Sequence, residues 1–107
     1  MPVVKIDVSL VPLGTGSTSL GDTIAEAEKV LLRYPSVEYH LNPMSTTLRG
    51  ELSLLLEVVS AMHEAAFTGG VQRVVTSLKI DDRRDEDPLA EPLLAKMQRV
   101  KAKAGLQ

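Results

Sequence analysis

The apolar residues of this 107-residue chain recur with two different periods, and the order in which the periods alternate leaves few folds open. From Val3 to Leu13, Val4, Ile6, Val8 and Leu10 alternate with Lys5, Asp7 and Ser9, the pattern of a half-buried strand that ends at Pro12. Ser19-Leu20-Gly21-Asp22 then reads as a helix start, with Ser19 capping and Asp22 reaching back. The helix is predicted from about Leu20 to Arg33, burying Ile24, Ala27, Leu31 and part of Val30 and turning Glu26, Glu28 and Lys29 to water. Tyr34-Pro35-Ser36 stops it. Val37, Tyr39 and Leu41 alternate with Glu38, His40 and Asn42 as a second strand; Asn42-Pro43-Met44-Ser45 turns the chain, and Thr46 to Gly50 is a third strand, completing a hairpin.

Between Glu51 and Phe67 the period changes again. Leu52, Leu55, Leu56, Val59, Met62 and Ala66 recur at spacings of three and four, marking a second amphipathic helix with Gly69-Gly70 as its C-terminal cap. Val71 to Ile80 is a fourth strand, facing Val74, Thr76, Leu78 and Ile80 one way and Arg73, Val75, Ser77 and Lys79 the other. After the charged run Asp81 to Asp87, Leu93, Leu94, Met97 and Val100 predict a short docking helix in the tail. The order βαββαβ plus one helix is that of an α+β, ferredoxin-like sandwich: a four-stranded antiparallel sheet with both main helices on one face. Residues 1–87 form the ligand-binding domain in this reading and 88–107 a C-terminal helical tail.

That arrangement leaves one sheet face without helices. It would show Lys5, Asp7, Ser9, His40, Arg73, Ser77 and Lys79 with Val11 and Val75 among them. Such a mixed face can be solvated. A small domain covered on one side gains most from extra burial, so the favoured reading is a symmetric oligomer whose sheets stack or join edge to edge.

Composition removes whole classes of function. There is no cysteine, hence no disulfide, thiolate metal site or thiol nucleophile, which fits a reducing cytoplasm. Twelve basic against fourteen acidic residues provide no positive field for a polyanion, and Tyr34, Tyr39 and Phe67 are too few to stack bases, so nucleic acid is not an expected partner. Lys5 and Asp7 interrupt the first apolar run, so neither secretion nor membrane spanning is expected from it. His40 and His63 lie on different elements without further ligands, and His63 borders the apolar stripe of its helix as a structural histidine. No G-x-S-x-G elbow supports hydrolysis. The run from Asp81 fails as a calcium loop, since Arg83 and Glu86 occupy positions that need Asp or Asn and Gly. No metal, cofactor or catalytic residue is expected.

Two loops remain. Gly14 to Ser19 combines glycines, hydroxyls and a helix start, which can point N–H groups at an anion or polar ligand, although it fits neither a Rossmann nor a P-loop fingerprint. In Pro43-Met44-Ser45-Thr46-Thr47, hydroxyls beside a flexible thioether can bond a heteroaromatic edge while Met44 packs on its face. The two loops make a site if they converge.

Several stretches carry a family resemblance: Val8-Ser9-Leu10-Val11-Pro12-Leu13-Gly14 with Ser19, Tyr39 to Gly50 with its Pro-Met-Ser-Thr run, Met62-His63-Glu64, Gly70, Arg73-Val74 and Lys79 to Asp85. Over residues 3 to 85 the chain resembles the YkoF-like thiamine-binding family, with the tail outside the likeness. The resemblance implies a ferredoxin-like homotetramer or homodimer, with the tetramer preferred, that binds thiamine or its pyrimidine moiety without catalysis. It also implies that Met44, Ser45 and Thr46 line the pyrimidine pocket and that Thr15, Ser17 and Ser19 close it. Ser45 stands where the family usually has Gly, and Arg49 where it usually has Glu. Were Arg49 to face the thiazolium, a neutral pyrimidine or a phosphorylated form would be preferred over a cation. The rivals are a regulatory, small-molecule-sensing domain of ACT type and, more distantly, an acylphosphatase-like enzyme, which needs an Arg in its phosphate loop that Gly14 to Ser19 lacks.

Overall fold

The computed structural model describes residues 2–107. β1 spans Val3–Leu13, α1 Gly21–Glu28, β2 Glu38–Leu41, β3 Thr46–Glu51, α2 Leu52–Ala65, β4 Arg73–Asp81 and α3 Ala95–Ala104. The strands form one antiparallel sheet in the order β2-β3-β1-β4. This is the expected ferredoxin-like α+β arrangement, two main helices and a third in the tail.

The core lies between one sheet face and the two main helices. Val4, Ile6 and Val8 of β1 and Leu48 of β3 meet Leu55, Val58 and Met62 of α2, all within 1% of complete burial. Gly50 lets α2 lie close, since a Cβ there would come within 3.2 Å of Leu55 Cδ2. In α2 the buried stripe runs through Val58, which the three-four count omits, while Leu56 is 42% exposed on the flank of the helix.

Other differences concern element ends. α1 stops at Glu28 and tightens into a 3₁₀ turn over Lys29–Arg33, because Tyr34 precedes a proline and leaves helical geometry at φ −129° and ψ 66°. Ser19 does not cap α1; Leu20 holds that position without a side-chain bond. The loop hydroxyls are used locally instead, with Thr15 Oγ1 donating to the Ser17 carbonyl and Ser17 Oγ accepting from the Ser19 N–H. Gly69 and Gly70, at φ 61° and 84°, form the turn into β4 rather than the cap of α2, which ends at Ala65 with Ala66 still right-handed.

The tail is held differently from the expectation. α3 buries none of its residues, and Met97 and Val100 are half exposed. The segment just before it carries the attachment: Arg49, 5% exposed, donates to the carbonyls of Pro88 and Glu91 while gripping both carboxylate oxygens of Glu38.

Candidate functional site

β1 pairs with β3 only from Val3 to Val8, opposite Glu51 to Thr46, whereas it continues beside β4 to Leu13. Past Val8 the β3 side of β1 has no neighbour in the sheet. α1 and the β2–β3 hairpin close round this overhang and leave a cavity of 170 Å³. Val8, Leu10 and Ile24 form its apolar wall, Leu41 to Thr46 its rim, and Glu28 is its one charged lining residue.

The hairpin explains the rim. The Asn42 N–H donates to the Ser45 carbonyl at 2.8 Å, closing a two-residue turn that puts Pro43 and Met44 at its tip. Met44 is 88% exposed, free to fold over whatever enters. Five side chains brace the turn from the helix-free face. His40 Nδ1 donates to Asn42 Oδ1 (2.9 Å), Asn42 Nδ2 donates to Thr47 Oγ1 (2.8 Å), and Ser45 Oγ donates to Asp7 Oδ1 (2.6 Å). The Ser45 hydroxyl therefore serves as a brace, although its residue lines the cavity.

Thr46 points the other way, into the helical layer, where it is 2% exposed and its Oγ1 donates to Glu28 Oε1 of α1. Glu28 is half-buried, not turned to water as the helix pattern suggests. It follows Ile24 by four residues and precedes Leu31 by three, which places it on the edge of the stripe; that spacing was the available signal.

Met44, Ser45 and Thr46 thus share one cavity. The glycine-rich loop does not join them: Thr15 and Ser19 line a separate groove with Asp22, Glu26, Lys29 and Thr68, and Ser17 lines neither. Arg49 faces away from the cavity, since it lies across from Lys5 on the helix-free face. The condition under which it would repel a cation is not met. His63 is structural, with Nδ1 at 2.6 Å from Thr76 Oγ1 and its ring edge-on to Phe67. Among the described residues no cluster of His, Asp or Glu could hold a metal ion, and three acids of the run after β4 are paired with arginines, Asp82 with Arg84 and Asp85 and Glu86 with Arg83, while Asp87 accepts from the Leu89 N–H. No helix of the described residues is long and apolar enough to cross a membrane.

A sheet with both main helices on one face, and a notch whose one charged lining residue is a carboxylate, defines a ferredoxin-like protein with a small cavity at its hairpin. The family model described as thiamine-binding protein matches residues 6–101, and the chain belongs to that family. The match takes in most of the tail, so the likeness extends beyond residue 85. The UPF0045 protein YqgV of Bacillus subtilis is 42% identical over 88 residues, covering 79% of this chain and 85% of YqgV. The crystal structure of MJ1052 from Methanocaldococcus jannaschii superposes with a TM-score of 0.78 at 32% identity, covering 94% of this chain and 97% of that one. A Thermotoga maritima structure with a provisional thiamine biosynthesis/salvage assignment shares the fold at a TM-score of 0.70 and 20% identity, over 92% of this chain and 99% of that one.

Proposed function

We propose that the chain is a cytoplasmic, oligomeric and non-catalytic binding protein for thiamine or a related pyrimidine such as hydroxymethylpyrimidine or thiamine phosphate, and that the notch beside the hairpin receives the heterocycle. The observation that carries this reading is Glu28, a lone carboxylate in an otherwise uncharged cavity of a thiamine-binding family member. It favours a cation or an N–H donor such as an aminopyrimidine, because an unpaired charge of either sign is costly in a partly desolvated slot. At 170 Å³ the cavity is below the roughly 300 Å³ of pockets that enclose drug-sized ligands, so it takes one ring and leaves the second, with any phosphate, outside. Thr46 orients Glu28, Met44 covers the ring, and Ser45 keeps the rim in place through Asp7. Thr15, Ser17 and Ser19 can take part only from a second subunit or by movement of their loop.

Titration calorimetry with thiamine, hydroxymethylpyrimidine, thiamine phosphate and a panel of amino acids tests the reading. Thiamine should bind, and Glu28→Gln should weaken it by about tenfold while affecting the neutral pyrimidine less. Binding of amino acids alone would turn the assignment to a sensing domain; a Glu28→Gln variant with unaltered thiamine affinity would move the site.

A further inference from the structure

The backbone hydrogen bonds of the sheet can be followed, residue by residue, to the edge of the notch. The Asn42 N–H bonds the Ser45 carbonyl, so that pair of the hairpin is a hydrogen-bonded one and its neighbour, Leu41 opposite Thr46, is not. Thr46 therefore turns its N–H and C=O away from β2 and toward Val8 of β1. The alternation gives the same direction to Leu48 opposite Ile6 and to Gly50 opposite Val4. The bond from the Leu52 N–H to the Pro2 carbonyl, one step further on, agrees. Even-numbered residues of β1 thus address β3, and odd-numbered ones address β4. Past Val8 that alternation leaves Leu10 and Pro12 with no strand to address. Pro12 has no N–H, and a proline is accommodated inside this strand because its nitrogen is turned to the side where no ladder runs.

Leu10 is then the residue of the overhang that offers both a donor and an acceptor on the open side. It lines the notch and is only 6% exposed. Among the described residues neither its N–H nor its carbonyl meets a turn, loop or side-chain partner. Buried backbone groups are rarely left single, so this pair points to a guest. We infer that the main chain of Leu10 reads the ligand: its N–H donates to a ring nitrogen, and its carbonyl accepts from an amino group on the adjacent ring carbon. The class of guest is a planar amidine edge, N=C–NH2, standing where a longer β3 would have paired. This rests on the reading of the notch as the heterocycle site. The match follows from the ladder itself, because a residue of an opposed strand presents one acceptor and one donor side by side, and the amidine edge copies them. An amino group carries two protons, and the one that does not reach Leu10 remains for Glu28. A ring with an oxo group instead can meet Leu10 with the polarity reversed, but it has no proton left for the carboxylate. A main-chain contact leaves no mark on residue type, so in the sequence Leu10 shows only as an apolar position of a strand.

Two compounds test the contact by titration calorimetry: hydroxymethylpyrimidine, whose amino group stands beside a ring nitrogen, and its analogue with a carbon in place of that nitrogen. The carbon analogue should bind about tenfold more weakly, since it leaves the Leu10 N–H facing a C–H. Leu10→Pro removes the donor without touching the ladder to β4, and circular dichroism checks that it folds. In this variant hydroxymethylpyrimidine should lose about tenfold in affinity and the difference between the two compounds should vanish, a comparison in which their unequal basicity cancels. Nitrogen–proton correlation spectra of the unaltered chain give an arm that needs no variant: the Leu10 amide proton should move downfield with hydroxymethylpyrimidine and stay in place with the carbon analogue. An unmoved Leu10 amide, or a folded Leu10→Pro variant that still discriminates between the compounds, would overturn the contact while thiamine binding and its dependence on Glu28 stood. Failure of hydroxymethylpyrimidine and thiamine alike to bind would overturn the reading of the notch, and this contact with it.

Discussion

Thr46→Val keeps the shape of a buried side chain and removes its hydroxyl, so it isolates the bond to Glu28. Ligand affinity should fall by ~1–2 kcal/mol, while stability to urea should change by less than about 1 kcal/mol because half-buried Glu28 can turn to water. Arg49 makes the opposite case. Its guanidinium is buried, and Glu38 and two tail carbonyls depend on it. Arg49→Met should lower the unfolding free energy by about 2–3 kcal/mol in urea titrations, and Arg49→Lys should not recover it, since an ammonium cannot grip Glu38 with two parallel bonds. These residues also show what a linear reading can reach. Met44, Ser45 and Thr46 were legible as a group because they are contiguous on one hairpin. Glu28 was not, because its partner is 18 residues away and only the docking of α1 on the sheet brings them together. The role of Arg49 was not legible: the sequence offered it as a charge that could face the ligand, whereas the register of β3 against Lys5 turns it to Glu38 and the tail.

Elements were read better than their ends. Periods of two and of three to four come from burial against a shared layer, and that layer is the one the chain builds; caps and terminations are settled by local hydrogen bonds that the pattern does not encode. α3 is the exception, because an apolar spacing without a surface to meet does not dock. With ten residues and none buried, it should fray. Its amides should exchange with solvent far sooner than those of β1 in a hydrogen-exchange time course. Its tie to the body is the Arg99 ion pair with Glu91. The hydrogen bond from Arg99, aided by its charge and by Lys5 and Arg49, holds the Glu91 carboxyl below its usual value. A lowered carboxyl supplies its share of order above the ordinary carboxylate range and loses it as pH falls through the depressed value, so exchange in α3 should rise further on acidification from pH 5 toward 3. In the core, Gly50→Ala should cost about 1–2 kcal/mol by pushing Leu55 off β3, measurable as a lower melting temperature.

At the scale of the molecule, the chain is a slab, 43 by 36 by 20 Å, about two layers thick. Charge is divided along it. All fourteen acidic residues precede Ala95, and four of the twelve basic residues follow it, so removing 95–107 takes the net charge from −2 to −6. Because α3 buries none of its own residues, that truncation should leave the melting temperature within about 3 °C by scanning calorimetry, the range of surface changes. The cavity, too, is a property of the whole sheet, created by the strand that outruns its neighbour. Its depth is therefore adjustable in whole steps: lengthening both arms of the hairpin by two residues would advance the rim by about 7 Å with every side chain still on its own face, whereas a single-residue change would turn the lining inside out. Chains of this design can retune the size of their guest by parity-preserving insertions, with no change to the packed interior.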